Sequence, residues 1–205
     1  MPKTMEGFKV GNFPKGFEKI LESWFAVIRD YNAKAGEDAI YWYNERANVG
    51  AFAAAMARNE IPVIEEYACE KGRGKERGPG RSDISFYYHG TWYIAEAKMH
   101  WSNLSFKTRP LDAKKYMESA LADVKKTAQQ DKYSTPFGLA FIIPRIKTAD
   151  KEHVDEFLRN YISQLENSGY CDFWAYCAPA QCRYLTPVPP DYFYPMAIVL
   201  GKKLG

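Results

Sequence analysis

One stretch restricts the fold of this chain more than any other, the run of residues 80–98. It contains two segments rich in β-branched and aromatic residues, 84–88 and 92–95, and this composition is typical of β-strands. His89 and Gly90 stand between the two segments. Gly suits the second position of a two-residue hairpin turn, where φ is positive, and His tolerates that region better than most residues. The sequence therefore predicts a tight β-hairpin.

The length of this turn fixes which residues of the two strands lie opposite each other. If Tyr88 faces Thr91, then Asp83 faces Glu96 further along the pair. Opposed residues in an antiparallel pair point to the same side, with Cβ atoms roughly 5 Å apart, so these two carboxylates would repel each other. A proton, a cationic side chain or a metal ion must then neutralise them. Lys98 shares a face with Glu96 because side chains alternate along a strand, which predicts a divalent-cation site with an ammonium group beside it.

These residues resemble the core motif of a known enzyme superfamily. Asp83, a gap of twelve residues and then Glu96-Ala97-Lys98 is similar to the motif of the PD-(D/E)XK nucleases, with Ser82 where that family has Pro. The resemblance implies a restriction-endonuclease-like fold, with Mg²⁺ on Asp83 and Glu96 and with Mn²⁺ able to substitute. It also implies that Lys98 positions or activates the attacking water. In order of elements it covers roughly residues 39–176.

Two further acidic residues are candidate metal ligands. In the resembling family a Glu on the helix before the catalytic sheet often completes the metal site, and Glu45 occupies such a helix here. The alternative is that Glu45 is a solvated helix residue. Residues 62–67 are predicted to form a strand of the same sheet, from which one of Glu65 and Glu66 approaches the metal, with Glu65 favoured.

Local clusters of basic residues predict where nucleic acid would bind, because a net charge of +3 is too small to indicate such binding alone. Residues 71–81 hold five basic residues and four glycines, which predicts a mobile cationic loop next to Asp83, with a solvated linker as the alternative. A predicted helix over residues 111–132 stacks lysines on one side, either to grip phosphates or as an ordinary solvent face. Its Gln129 also resembles a motif of some recombination-type nucleases of the superfamily. The predicted contacts are Lys71, Arg73, Lys75, Arg77, Arg81, Lys114, Lys125 and Gln129.

Length and composition indicate a single soluble domain. The chain has 205 residues, of which 46% are hydrophobic and 26% charged, as in ordinary globular proteins. No apolar run approaches the length of a membrane span, and the N-terminus lacks the apolar stretch of a signal peptide. We therefore expect a cytoplasmic protein with reduced cysteines and no membrane partner.

Hydrophobic periodicity predicts an α/β fold in which helices flank both faces of a central mixed β-sheet, with a restriction-endonuclease-like core. The order is α-α-β-β-β-α-β-α-β-β. Helices are predicted over residues 15–31, 38–58 with Asp38 as the cap, 111–132 and 150–167, and strands over 62–67, 84–88, 92–95, 137–143, 170–176 and 196–200. Within one nuclease-like domain spanning 1–205, residues 1–36 are expected to form an N-terminal helical extension, 38–176 the core, and 177–205 a C-terminal strand and tail.

The leading functional interpretation is a divalent-metal-dependent endonuclease of the restriction, repair or phage-defence type, with DNA favoured over RNA. Metal ions would stabilise charge on the phosphoryl oxygens and lower the pKa of bound water, while Lys98 orients that water. Double-strand cleavage by one such site would suggest a homodimer.

Two alternatives belong to other functional classes. A retaining glycoside hydrolase also places two carboxyl groups about 5–5.5 Å apart, but it requires neither Lys98 nor a cationic loop. A non-catalytic nucleic-acid-binding module on a nuclease-like fold is the other, and the presence of all three motif residues weighs against it.

Overall fold

A computed structural model describes residues 2–106, 111–131 and 133–205. In these ranges it contains a mixed eight-stranded sheet and four α-helices, so the prediction of an α/β fold is confirmed. The strands are β1 (Met5–Val10), β2 (Val63–Lys71), β3 (Gly78–Tyr88), β4 (Thr91–Asn103), β5 (Ser134–Lys147), β6 (Phe173–Ala178), β7 (Tyr192–Phe193) and β8 (Ala197–Lys203). The helices are α1 (Glu18–Ala35), α2 (Glu45–Ala57), α3 (Leu111–Ala128) and α4 (Val154–Glu166). Among the described residues, no helix has the length and apolar content needed to cross a membrane.

The strand order across the sheet is β1-β6-β8-β5-β4-β3-β2, with the short β7 paired to the end of β5. Strands β4 and β5 run parallel, and the other neighbours are antiparallel. A parallel pair needs a long crossover, and α3 supplies it between β4 and β5. The central strands are thereby placed between two helical layers.

Alternating residues of β5 divide the hydrophobic core between the two faces of the sheet. Leu139, Phe141 and Ile143 pack with residues of α1 and α2, whereas Ala140 and Ile142 pack with α3 and α4. Burial on both faces explains why this strand reads as a continuous apolar run instead of alternating with polar residues.

The predicted hairpin and its register are confirmed. Tyr88 pairs with Thr91 and Ile84 pairs with Ala95. The turn residues His89 and Gly90 have φ values of 47° and 78°, as a two-residue turn with positive φ at both positions requires.

Both chain ends belong to the sheet, which the sequence patterns did not predict. Strand β1 pairs with β6 and α1 lies in the core, so residues 1–36 are not a separate extension. Strand β8 lies between β6 and β5, inside the sheet. β1 is short and only partly buried, which left little hydrophobic alternation to detect. Its Gly7 lies against the ring of Tyr176, where a Cβ would come within 2.6 Å of the hydroxyl oxygen.

The second helix begins later than predicted, and its cap is a different residue. The Asn44 side chain accepts a hydrogen bond from the Ala47 N–H at 2.9 Å and so caps α2. The prediction of Asp38 as the cap is wrong, because its carboxylate instead accepts hydrogen bonds from the hydroxyls of Tyr31 and Tyr43.

Three strands extend beyond the predicted boundaries. β2 continues to Lys71 and β3 begins at Gly78, so most of the expected mobile loop over 71–81 is paired strand. β4 continues past Lys98 to Asn103, where an irregular segment was expected. In each case the neighbouring strand supplies the hydrogen bonds, a tertiary effect that composition alone does not report.

Candidate active site

The site begins where β3 separates from β4. Their last backbone pair is Ile84 with Ala95, and beyond it side chains take over the bonding to β4. The Ser82 hydroxyl donates to the Ala95 carbonyl at 2.8 Å, and the Ala97 N–H donates to Asp83 Oδ2 at 2.6 Å. The carboxylate of Asp83 is therefore held against the residue that lies between Glu96 and Lys98.

A second carboxylate, that of Glu45, reaches the same edge of β4 from the first turn of α2. It accepts a backbone hydrogen bond from Met99, which lowers its pKa, as does the nearby Lys98. Burial and the charges of Asp83 and Glu96 outweigh these effects and raise the pKa of Glu45 above its ordinary value. The predicted candidate on the helix before the sheet is thus within electrostatic range of the whole motif.

Glu65 and Glu66 occupy different environments because the chain bends between them. Glu66 has a φ of 54°, and its carboxylate is bound by Arg46 at 2.9 Å and Arg81 at 3.4 Å. Glu65 faces α2, where a Cβ on Gly50 would lie 3.6 Å from its Oε2. Burial raises the pKa of Glu65, and the charge of Glu66 adds to this effect.

Glu45, Glu65 and Asp83 line one cleft of about 330 Å³ between α2 and the β2–β3 strands. The negative charges of this cleft are partly offset by Arg46, which also lines it. Three of the four predicted metal ligands are therefore brought to a single opening.

Glu96, the fourth predicted ligand, points to the other side of the sheet, toward α3. It is only 4% exposed, and its Oε1 accepts hydrogen bonds from Lys71 Nζ at 2.6 Å and Thr127 Oγ1 at 2.8 Å. Burial raises the pKa of Glu96 and the charge of Asp83 adds to it, while Lys71 and Thr127 oppose the increase. The two motif carboxylates thus influence each other but do not share a face as the sequence predicted.

Lys98 lies on the same face as Glu96, as the alternation of side chains predicts. Its Nζ is 2.8 Å from Asp123 Oδ2 on α3. Burial lowers the pKa of Lys98, but the hydrogen bond and charge of Asp123 outweigh it, with Glu45 and Asp83 adding to the increase. The pKa is therefore above its ordinary value of 10.5, and the side chain is an ammonium ion at neutral pH. Such a group can neutralise negative charge and donate hydrogen bonds, but it cannot accept a proton.

The close approach of α3 depends on a glycine. Gly138 of β5 is paired with Glu96, and a Cβ at Gly138 would lie 3.1 Å from both the Ala120 Cβ and the Leu121 backbone nitrogen. The absence of a side chain lets the helix backbone rest on the strand beside the candidate site.

The spacing along α3 then matches the spacing along β4. Asp123 and Thr127 are one helical turn apart, a rise of about 6 Å, and Glu96 and Lys98 are separated by about 6.7 Å along the strand. Each helix residue therefore meets one strand residue, Thr127 with Glu96 and Asp123 with Lys98. This match holds both functional side chains from one rigid element.

Most of the predicted nucleic-acid contacts are exposed, but several already have partners within the protein. Lys71 is paired with Glu96, Arg77 with Glu70 and Arg81 with Glu66. On α3, Lys114 lies 3.8 Å from Glu118. The side chains of Arg73, Lys75, Lys114 and Lys125 are exposed and that of Gln129 is half-buried.

The chemistry of the donors fits a hard divalent cation, although their arrangement is not that of a closed metal centre. Within residues 2–106, 111–131 and 133–205, no group of three or more His, Cys, Asp or Glu is placed to hold a metal ion. The donors are carboxylates, which Mg²⁺ accepts in small numbers while keeping several waters. The Lys71 ammonium already stands as a cation against Glu96. For Asp83 and Glu96 to share an ion, Lys71 must leave this position.

Sequence reasoning missed Asp123 and Thr127, and it gave Lys71 a different role. Thr127 continues the buried stripe of α3 and is fully buried, which is a detectable signal for a polar residue with a partner. Asp123 has no comparable signal because helix acids are usually solvated. The Lys71 contact depends on how the β2–β3 hairpin lies across β4, which spacing alone does not fix.

The likeness to the PD-(D/E)XK motif rests on Asp83, Glu96 and Lys98 and on where the fold places them. These residues meet at one point of β4, together with Glu45 from α2. No protein-family model matches the chain, and a search of curated proteins likewise finds no match.

Proposed function

We propose that this chain is a divalent-metal-dependent endonuclease of the PD-(D/E)XK type that hydrolyses phosphodiester bonds in DNA. The observation that carries the proposal is the position of Asp83, whose carboxylate binds the backbone of Ala97 between Glu96 and Lys98. Two carboxylates and an ammonium group therefore converge on three consecutive residues of one strand. A fold that used these residues only for stability would have no reason to hold three charges around one half-open strand edge.

Asp83 and Glu96 would hold Mg²⁺, with Glu45 the nearest additional carboxylate. When bound, the ion supplies charge stabilisation at the phosphoryl oxygens and a lowered pKa for its water ligand. The chain itself contributes Lys98, held in place by Asp123, which neutralises negative charge on the phosphate and orients the attacking water. Because the pKa of Lys98 is raised, it acts as a cation and not as a general base.

Digestion of plasmid and single-stranded DNA with Mg²⁺, Mn²⁺ or chelator tests the proposal, with wild type compared with Lys98→Ala. We expect cleavage by the wild type with either metal, none with chelator, and a loss of about 10²–10³-fold in the variant. Lys126→Ala is the matched control, because Lys126 also pairs with Asp123, at 3.1 Å, but lies exposed on the helix surface. Undiminished cleavage by Lys98→Ala, or no cleavage of any DNA or RNA, would overturn the proposal.

The same experiment separates the two alternatives. A two-carboxylate glycoside hydrolase would be inactive on DNA, and its hydrolysis of sugars would be insensitive to chelator. A non-catalytic binding module would retain DNA with no cleavage under any metal condition.

A further inference from the structure

The largest cleft among the described residues, of about 590 Å³, lies on the α3 side of the sheet. Its floor is formed by β2, β3 and β4, and the C-terminal end of α3 forms one wall. We call it the aromatic groove, and the lining residues that matter here are Ile64, Tyr67, Trp92, Thr127 and Tyr133.

Large aromatic side chains are concentrated in and beside this groove. Tyr67, Tyr87, Trp92 and Tyr133 are 42%, 41%, 40% and 94% exposed. The Tyr87 and Trp92 rings form a cross-strand pair with centroids 5.4 Å apart. Contiguous exposed apolar surface of this kind marks an interaction site in soluble proteins.

The backbone bend at Glu66 helps to build this surface. Regular alternation would place Tyr67 on the face opposite Ile64, but both line the aromatic groove. The left-handed conformation of Glu66, with its φ of 54°, lies between them. A strained, non-glycine residue thus adds one more aromatic ring to the floor.

Cations border the aromatic groove on two sides. Lys71 and Arg77 lie along the β2–β3 hairpin, and the exposed Lys125 and Lys126 lie in the last turns of α3. The acids among the lining residues already have partners, since Glu70 is paired with Arg77 and Asp131 accepts the backbone N–H groups of Tyr133 and Ser134. The surface therefore combines an aromatic floor with a basic border.

This combination suits single-stranded nucleic acid. Unpaired bases stack on aromatic rings while the backbone follows nearby cations, whereas the bases of a duplex are already stacked on one another. Thr127 lines the groove and donates to Glu96, so the groove leads directly to the candidate active site.

We infer that the aromatic groove binds single-stranded DNA by stacking unpaired bases on Trp92 and Tyr67, and delivers the strand to Glu96. The inference rests on the proposed function for its consequence, but the binding itself requires no cleavage. Single-stranded regions or unpaired ends of DNA are then the preferred substrate class.

Binding is measured by fluorescence anisotropy in chelator, where no metal-dependent cleavage occurs. The probes are a short single-stranded oligothymidylate, a duplex of equal length, and an abasic strand that keeps the phosphates but lacks bases. We expect the single strand to bind at least about tenfold more tightly than either of the others, with quenching of Trp92 fluorescence.

The variants Trp92→Ala and Tyr67→Ala should each weaken single-strand binding about tenfold and leave abasic-strand binding unchanged. Tyr184→Ala is the matched control, because Tyr184 is also 40% exposed but packs on Phe193, beside the opposite end of β5. Circular dichroism and thermal unfolding confirm that each variant is folded.

Equal binding of all three probes, or unchanged binding by the Trp92→Ala/Tyr67→Ala double variant, would overturn the inference. So would a change of oligomeric state in these variants without any oligonucleotide binding, which would assign the surface to self-association. A protein that binds single strands through the groove but cleaves no nucleic acid contradicts the proposed function alone. One that cleaves DNA while the groove variants bind normally contradicts only the groove.

Discussion

The β2–β3 hairpin carries two ion pairs of similar chemistry in opposite surroundings. In the Lys71–Glu96 pair the side chains are 27% and 5% exposed, and in the Arg77–Glu70 pair they are 54% and 52% exposed. Water solvates the second pair, so losing either partner leaves the other hydrated. Glu96 has almost no water, so its charge depends on Lys71 and Thr127. Burial, and not the residue types, therefore makes one pair part of a candidate site and the other a surface contact.

The largest expected difference between the pairs is in stability. Lys71→Met leaves the buried Glu96 carboxylate without its cation, and we expect the free energy of unfolding to fall by about 2 kcal/mol, less than for a fully buried pair because Lys71 is partly exposed. Urea denaturation monitored by circular dichroism measures the change. Arg77→Met is the matched control, and equal losses in the two variants would contradict the comparison.

The pairs should also differ in their effect on metal binding. If Lys71 occupies the position of a cation at Glu96, Lys71→Met should raise the affinity for Mn²⁺ about tenfold in the absence of nucleic acid, because a competing positive charge is removed. Isothermal titration calorimetry measures this affinity, and Arg77→Met should leave it unchanged. An unaltered affinity in Lys71→Met would place the metal away from Glu96.

A smaller effect is expected in the pH dependence of stability, measured in chelator. The pKa of Glu96 is raised above its ordinary value of 4.5 by burial, so the folded protein holds this proton more tightly than the unfolded chain. The resulting stabilisation is complete below the unfolded pKa and is lost as pH rises through the folded pKa. Lys71→Met removes a group that lowers this pKa, so the loss should continue to higher pH and become larger.

Glu96→Gln provides the check on this assignment. Combined with Lys71→Met, it should remove the added pH dependence, since an amide does not titrate. Glu45 and Glu65 also have raised pKa values, but they are present in every variant and cancel in the comparison. Identical pH profiles for wild type and Lys71→Met would show that Lys71 does not govern the Glu96 charge.

The smallest effect is expected at the exposed pair. Arg77→Met should lower the free energy of unfolding by no more than about 0.5 kcal/mol, and the difference from wild type should disappear at about 1 M salt. Urea denaturation at low and high salt measures it. A larger, salt-resistant loss would mean that the Arg77 pair is also structurally important.

The sequence predicts those parts of the molecule that depend on local rules. The His89-Gly90 turn fixes the register of β3 and β4, because a two-residue turn leaves no other pairing. The shared face of Glu96 and Lys98 follows from alternation in the same way. These two features sufficed to identify the central strand of the candidate site.

The remaining features depend on contacts between elements that are distant in the chain. Thr127 and Asp123 meet Glu96 and Lys98 only because Gly138 lets α3 lie close to the sheet. The direction of Asp83 could not be predicted either, because the alternation rule fails where its strand separates from β4. Regular pairing placed it on the face of Glu96, whereas its carboxylate turns to the Ala97 backbone.

The position of β2 at the edge of the sheet has a consequence for how the candidate site opens. This strand is paired through its backbone with β3 on one side, and its last residue is Lys71. Edge strands exchange their amide hydrogens through local openings that cost less than global unfolding. Partial release of β2 would withdraw the ammonium from Glu96 while the sheet between β3 and β6 stays intact. Access to the most deeply buried acid of the site is thereby controlled by one of the most weakly held strands of the fold.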